Sequence, residues 1–291
     1  MTTHSALERP GDWWLATLRR RAEAMGEETL DLSQPIEFAS EEQRRATLKY
    51  FNAAFRAEQS GLTQAHQLAD EVRAWDAELA EVLELYGKEE GWHQQLLEQF
   101  LAYLGGGVQP MGRVTRLFYR LYAGAKRMET IVLTNLMFET IGSTTYRLTL
   151  RRVEHPALKQ MLTILTRDES FHVPLNTFFL RRVLERSSRW QLWRLGWLHQ
   201  LLFVSLVALP LASRPKAKAF DGIGSSELAR AYAQNLARLF IDSNIPLRPP
   251  SWLLWLFGIT HASLRRATDH AAISVAAAEA AADRRNRVTA L

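Results

Sequence analysis

The chain contains no cysteine. That absence excludes disulfides, iron–sulfur clusters, thiolate zinc sites and a cysteine nucleophile together. Any metal site must therefore draw on His, Asp and Glu, a ligand set suited to iron or manganese. Strand-like alternation of apolar and polar residues is sustained nowhere. The stretch from Met1 to Trp14 lacks the apolar run of a signal peptide, and no mitochondrial-type presequence is evident, so the expected location is cytoplasmic. A formal charge of +5 and a pI of about 9.6 come without any recognisable nucleic-acid module, and no nucleic-acid partner is expected.

What is present is a 291-residue chain, 47% hydrophobic, long enough to bury a full-sized core. Nearly every long segment reads as helix. A first helix spans Trp13 to Met25, and a loop follows with Pro35 in it. The next helix starts at Ser40, where Ser40 and Gln43 have capping-box spacing. It runs to about Gln59, where Ser60-Gly61 is read as an interruption. Another helix covers Thr63 to Leu104, with room for a break, and Gly105-Gly106-Gly107 ends it. A short helix is expected over Gly112 to Ala123. A long one passes through Met128 and Tyr146, and His155-Pro156 turns the chain into a helix over Leu158 to Leu184.

The last third differs in texture. Leu195 to Ala212 carries no formal charge and stands behind Trp190, Trp193 and Trp197. Its length is at the lower edge of a transmembrane span, but Gly196, His199, Gln200 and Pro210 favour a buried or interfacial helix. Pro249-Pro250 and the aromatic stretch Trp252 to Phe257 lead into an alanine-rich helix ending near Ala282. The division expected is an N-terminal helix and loop (1–39), a central bundle (40–186), additional apolar helices packed on it (187–282) and a tail (283–291). The basic clusters Arg19 to Arg21, Arg151–Arg152, Arg181–Arg182 and Arg214 to Lys218 read as solvated helix faces. The other reading is a docking surface for an anionic partner such as an acidic carrier protein or lipid headgroup.

Two Glu-x-x-His motifs lie in helical segments: Glu90-Gly91-Trp92-His93 and Glu169-Ser170-Phe171-His172. At i and i+3 both side chains share one helix face and can reach a single ion. One such motif alone is weak evidence. The spacing adds to it: Glu58 precedes Glu90, and Glu139 precedes Glu169, by about thirty residues each. A helical hairpin of that period brings the upstream carboxylate level with the Glu-x-x-His pair. Four carboxylates and two imidazoles in this order suit a pair of divalent irons.

In the order and spacing of these six residues the segment Ser40 to Leu184 resembles the ferritin-like, non-haem diiron carboxylate proteins. The resemblance implies an all-α fold, a ferritin-like four-helix bundle with extra N-terminal and C-terminal helices. It also implies two iron ions (Mn/Fe being an alternative), dioxygen as co-substrate, a small apolar or aromatic substrate that a carrier can present, an external electron donor and assembly as a homodimer. Carried over residue by residue, it makes Glu58, Glu90, His93, Glu139, Glu169 and His172 metal ligands. Asp168 then orients His93 and Glu89 orients His172. Ser143 or Thr144, one turn after Glu139, is placed as a proton relay, against the plainer reading of a hydroxyl bonded back to its own helix. Tyr86 reads as core, and Phe55, Leu136, Met137 and Phe138 are placed around a substrate cavity. The arylamine N-oxygenase branch carries a third histidine where this chain has Leu165. Two other readings stay open: an iron-storing ferroxidase, and a membrane-surface hydroxylase or quinol oxidase with peripheral membrane contact. His4, His66, His155, His199, His261 and His270 are read as non-ligands. Glu129 is too far along its helix to reach the others.

Overall fold

A computed structural model describes residues 9–25, 27–111, 116, 119–120, 125–212, 223–260 and 263–264. Among these all regular structure is helical: α1 (Gly11–Ala24), α2 (Glu41–Val72), α3 (Ala77–Tyr103), α4 (Met128–Leu150), α5 (Pro156–Glu185), α6 (Arg189–Ala212), α7 (Ser225–Asp242) and α8 (Ser251–Leu256). The short helix expected over Gly112 to Ala123 falls largely outside the described residues. The basic run Arg214 to Lys218 and the tail fall outside them entirely, and the alanine-rich helix falls largely outside them.

Capping chemistry sets the helix starts. Ser40 Oγ accepts from the Gln43 amide at 3.1 Å, and the Gln43 side chain accepts from the Ala39 amide at 2.8 Å, so the box closes one residue earlier than its usual form. Asp76 caps α3 by accepting from the Leu79 amide at 3.0 Å. His155 precedes Pro156, whose missing N–H costs nothing in the first turn of α5.

The expected interruption at Ser60-Gly61 does not occur. α2 continues to Val72, and the break comes at Arg73–Asp76 instead. A glycine costs a helix only about 1 kcal/mol; here the continuing buried face of Gln64, Ala65, Leu68, Ala69 and Val72 outweighs it.

α2 pairs with α3 and α4 with α5 as antiparallel hairpins. The hairpins meet through α2 on α4 and α3 on α5, while α1 lies along α3, and α6 and α7 cover α4. Two apolar clusters form inside. One gathers the N-terminal helix, the C-terminal halves of α2 and α5, the start of α3 and α4, and α6 and α7. The other gathers the first half of α2, the end of α3 and the beginning of α5, with Phe51, Leu97, Phe100 and Leu162 at its centre. Between them, on all four central helices, lies a layer of charged side chains.

α6 is apolar on both sides. Leu195, Leu202, Phe203, Leu206 and Val207 are buried, whereas Trp190, Trp193, Trp197 and Leu201 face outward. By length and composition alone it could cross a membrane.

Candidate metal centre

The six residues singled out by motif and spacing converge in the polar layer, and all six are buried. They form two groups. Glu58, His93 and Glu169 bring one ligand atom each within 4.8 Å of one another, and Glu90, Glu139 and His172 do the same. The glutamate of each Glu-x-x-His motif thus stands with the histidine of the other, and not with its own as expected. Glu169 Oε2 lies 3.5 Å from His172 Nδ1, so this carboxylate borders both groups.

Gly61 makes room for the arrangement. A Cβ at that position would come within 2.4 Å of Glu90 Oε2. Any larger residue there would force the Glu90 carboxylate of α3 to shift.

Each imidazole is held by its far nitrogen. His93 Nε2 lies 3.1 Å from Asp168 Oδ2 and His172 Nε2 lies 3.0 Å from Glu89 Oε2. Asp168 and Glu89 are both held below the usual carboxylate range, Glu89 at about 2, because nearby arginines and imidazoles outweigh the burial that would raise them. Two ionised carboxylates can only accept, so the Nε2 hydrogens point at them and each Nδ1 faces the cluster.

The anchor beneath both carboxylates comes from α1. Arg21, only 2% exposed, donates to Glu89 at 2.6 Å and 3.0 Å and to Asp168 at 2.8 Å. Its guanidinium also lies over the Phe171 ring, 4.3 Å from the centroid. Arg167 adds two bonds to Asp168, each 2.7–2.8 Å, and turns its remaining donors to Glu28. Sequence reasoning placed Arg21 in a solvated basic cluster. A signal was available: Trp14, Leu18 and Arg21 share one helix face, so the arginine sits in the apolar stripe of α1. Its neighbour Arg19 does behave as a surface residue and pairs with Glu81, as Arg152 does with Glu227 and Arg182 with Asp76.

The layer holds more negative than positive charge. Six buried carboxylates (Glu58, Glu89, Glu90, Glu139, Asp168, Glu169) face two histidines and the two arginines. Burial, reinforced by Glu58 and Glu139, pushes the Glu90 and Glu169 carboxyls well above their usual range. Burial alone would lower the histidines, but Asp168 and Glu58 raise His93 to about 10, and Glu169, Glu89 and Glu90 raise His172 as well. Burial would likewise raise Glu58, but His93 outweighs it and holds that carboxyl below its ordinary value. Without cations, the cluster balances its charge by binding protons.

Several cluster atoms also lack hydrogen bonds. Glu58 Oε1, Glu90 Oε1, Glu169 Oε2 and His172 Nδ1 are buried with no hydrogen-bond partner among the described residues. His172 Nδ1 lies 3.1 Å from Glu90 Oε1, but not at a hydrogen-bonding angle. An oxygen- and nitrogen-lined layer with surplus negative charge and unsatisfied lone pairs is what a pair of hard divalent cations requires, and these residues fit one.

Tyr86 does more than fill the core. Its hydroxyl donates to Glu139 Oε1 at 2.7 Å and its ring meets His172 edge-on. Ser143 accepts from Arg147 at 3.1 Å; Thr144 donates to the Thr140 carbonyl and accepts from Asn235. The bonds of these two hydroxyls lead to other partners than the six residues of the cluster. Phe55, Leu136 and Met137 are packed core, and Phe138 is half-buried beside Tyr119. A recess of about 260 Å³ opens on α2, lined by Arg56, Gln59, Ser60, Thr63, Gln64, Met111 and Tyr119. Leu165, at the third-histidine position of the N-oxygenases, is core.

Glu129 accepts from Arg194 at 2.9 Å, away from the cluster. His66 is exposed and His155 begins α5, while His4, His261 and His270 lie outside the described residues. His199 is buried against Phe203 and Phe240, and burial lowers it to about 4. No family model, curated protein or solved structure matches the chain.

Proposed function

We propose that this chain is a dioxygen-activating diiron oxygenase or oxidase of the ferritin-like kind, acting on a small apolar or aromatic substrate. The observation that supports it most is the interlocked pair of buried Glu–Glu–His groups, in which both imidazoles present Nδ1 inward while ionised carboxylates hold Nε2. Glu58, His93 and Glu169 would hold one ion, and Glu90, Glu139 and His172 the other. Two iron ions held there supply the electrons and the open coordination positions needed to reduce dioxygen.

The chain's own groups set the conditions for that chemistry. Asp168 and Glu89 fix which nitrogen of each ring carries the hydrogen, and Arg21 keeps both carboxylates ionised and in place. Tyr86 occupies Oε1 of Glu139 and leaves its other oxygen to face His172, 3.9 Å away. The apolar clusters above and below exclude water, which strengthens each charge interaction in the layer. The recess lined by Arg56, Gln59 and Tyr119 is the approach a substrate would take, with electrons arriving from an external donor.

Loading the full chain anaerobically with ferrous iron tests this reading. Metal analysis is expected to give about two irons per chain, with oxygen consumed on exposure to air. His93→Ala and Glu169→Ala, which both fall in the first group, should each remove about half of the iron and most of the oxygen consumption. Manganese retained in preference to iron would indicate a mixed-metal site, and mineral growth under excess iron would indicate storage. Failure to retain any transition metal would overturn the proposal.

A further inference from the structure

We propose that the outer face of α6, together with α8, docks the protein in the plane of an anionic membrane surface. The inference is independent of the metal chemistry. Trp190, Trp193, Trp197 and Leu201 recur at helical spacing on the side of α6 turned away from the core, and Trp197 is 66% exposed. The rings are not scattered: Trp190 and Trp193 stack at 4.7 Å and Trp193 meets Trp197 at 6.4 Å, forming one ridge. A second aromatic group adjoins it. The Gln200 side chain donates to the Arg248 carbonyl, which fastens the segment leading into α8 beside α6. On α8, Trp252, Trp255 and Leu256 are exposed, Trp255 at 81%. A soluble helix of this length would carry polar residues on that side, and exposed apolar patches of this kind mark a binding surface.

The charges that flank these segments in sequence point to the occupant. From Arg186 to Phe220 the chain has Arg186, Arg189, Arg194, Arg214, Lys216 and Lys218 and no acidic residue. From Ser243 to Thr268 it again has only cations, Arg248, Arg265 and Arg266. A recess of about 540 Å³ beside the ridge is lined by Lys126, Arg127, Thr130, Arg194, Leu195 and Leu198; Arg194 is already paired with Glu129, which leaves Lys126 and Arg127 to meet phosphate headgroups. Two copies meeting through this face would oppose like charges, whereas an anionic bilayer answers both the charge and the tryptophans, which favour the headgroup level. Insertion across the bilayer is disfavoured because Leu202, Phe203 and Leu206 on the opposite side of α6 are fully packed in the core. The helix therefore lies flat, with its inner side holding the bundle and its outer side in lipid.

Sedimentation of the full chain with phosphatidylglycerol–phosphatidylcholine vesicles, and with phosphatidylcholine vesicles alone, tests the proposal. Binding is expected to the anionic vesicles, to weaken with salt, and to quench tryptophan fluorescence when the acyl chains are brominated. Each of Trp193→Ser, Trp197→Ser and Trp255→Ser should weaken binding about tenfold; circular dichroism should stay unchanged, since these side chains lie outside both core clusters. The wild-type quenching experiment keeps the test open if a variant misfolds. Absence of binding, or equal binding to both vesicle types, would overturn the assignment. So would a lipid-free dimer in analytical ultracentrifugation that the same substitutions dissolve.

Discussion

The two halves of the charged layer are built from the same parts but are not equally braced. His93 rests on Asp168, which is gripped by Arg21 and Arg167 together; His172 rests on Glu89, which among the described residues takes arginine bonds from Arg21 alone. Glu90 in the second half has its room from Gly61, and Glu139 there is engaged by Tyr86. A near-twofold pattern in sequence has thus become an asymmetric pair of sites. Asymmetry of this kind lets two metals differ in exchange rate and potential, because the partners behind a ligand tune it as well as the ligand itself.

The sharpest way to break the comparison is to remove one imidazole at a time. His93→Ala should empty its own half first, and His172→Ala the other, each lowering iron affinity by more than about 100-fold, beyond the loss for an orienting carboxylate. Metal content after dialysis measures this; equal loss from both halves in either variant would show that the sites fill as one unit.

Next in size are the arginines. Arg21→Ala leaves two buried carboxylates short of their shared partner and should destabilise the metal-free chain by about 3–5 kcal/mol. Arg167 is partly exposed and Asp168 keeps Arg21, so Arg167→Ala should cost only about 1 kcal/mol. Urea unfolding of the two variants compares them directly, and equal losses would contradict the unequal bracing.

The pH profile of the metal-free chain follows from the signs of the shifts. Glu89, depressed from 4.5 to about 2, contributes stability present above pH 4.5 and lost as pH falls toward 2. His93, raised from 6.5 to about 10, contributes stability present below pH 6.5 and lost as pH climbs through 10. The raised Glu90 and Glu169 act in the same direction as His93, their contribution fading as pH rises above 4.5. Thermal melts should therefore peak on the mildly acidic side without metal, and the peak should move upward once metal replaces the protons. An unchanged peak on loading would argue that the cluster binds no cation.

The smallest effect separates two glycines of adjacent helices. Gly61→Ala should push Glu90 aside and weaken metal binding about tenfold, a displacement of roughly 1.4 kcal/mol. A Cβ at Gly91 meets only Leu62 at ordinary contact distance, so Gly91→Ala should leave metal binding intact and add up to about 1 kcal/mol of helix stability. Titration with ferrous iron under anaerobic conditions would show whether the two variants differ.

The all-α class and the identity of the six converging side chains were readable without coordinates. The 3.6-residue repeat sets which residues share a helix face, and hairpin length sets their height, so Glu58, Glu90, His93, Glu139, Glu169 and His172 were bound to meet once the helices paired. Asp168 and Glu89 were placed by resemblance, and the structure puts each on the expected ring. The break at Arg73–Asp76 was missed because a glycine is a weaker stop in a well-packed helix than its propensity implies. Which glutamate stands with which histidine, the arrival of Arg21 from α1, the hydrogen bond of Tyr86 and the outward tryptophans of α6 depended on the tertiary structure. Local periodicity is a property of neighbours along the chain. Partners 68 and 147 residues apart, as Arg21 is from Glu89 and Asp168, are chosen only when whole helices pack and each buried charge finds its counterpart.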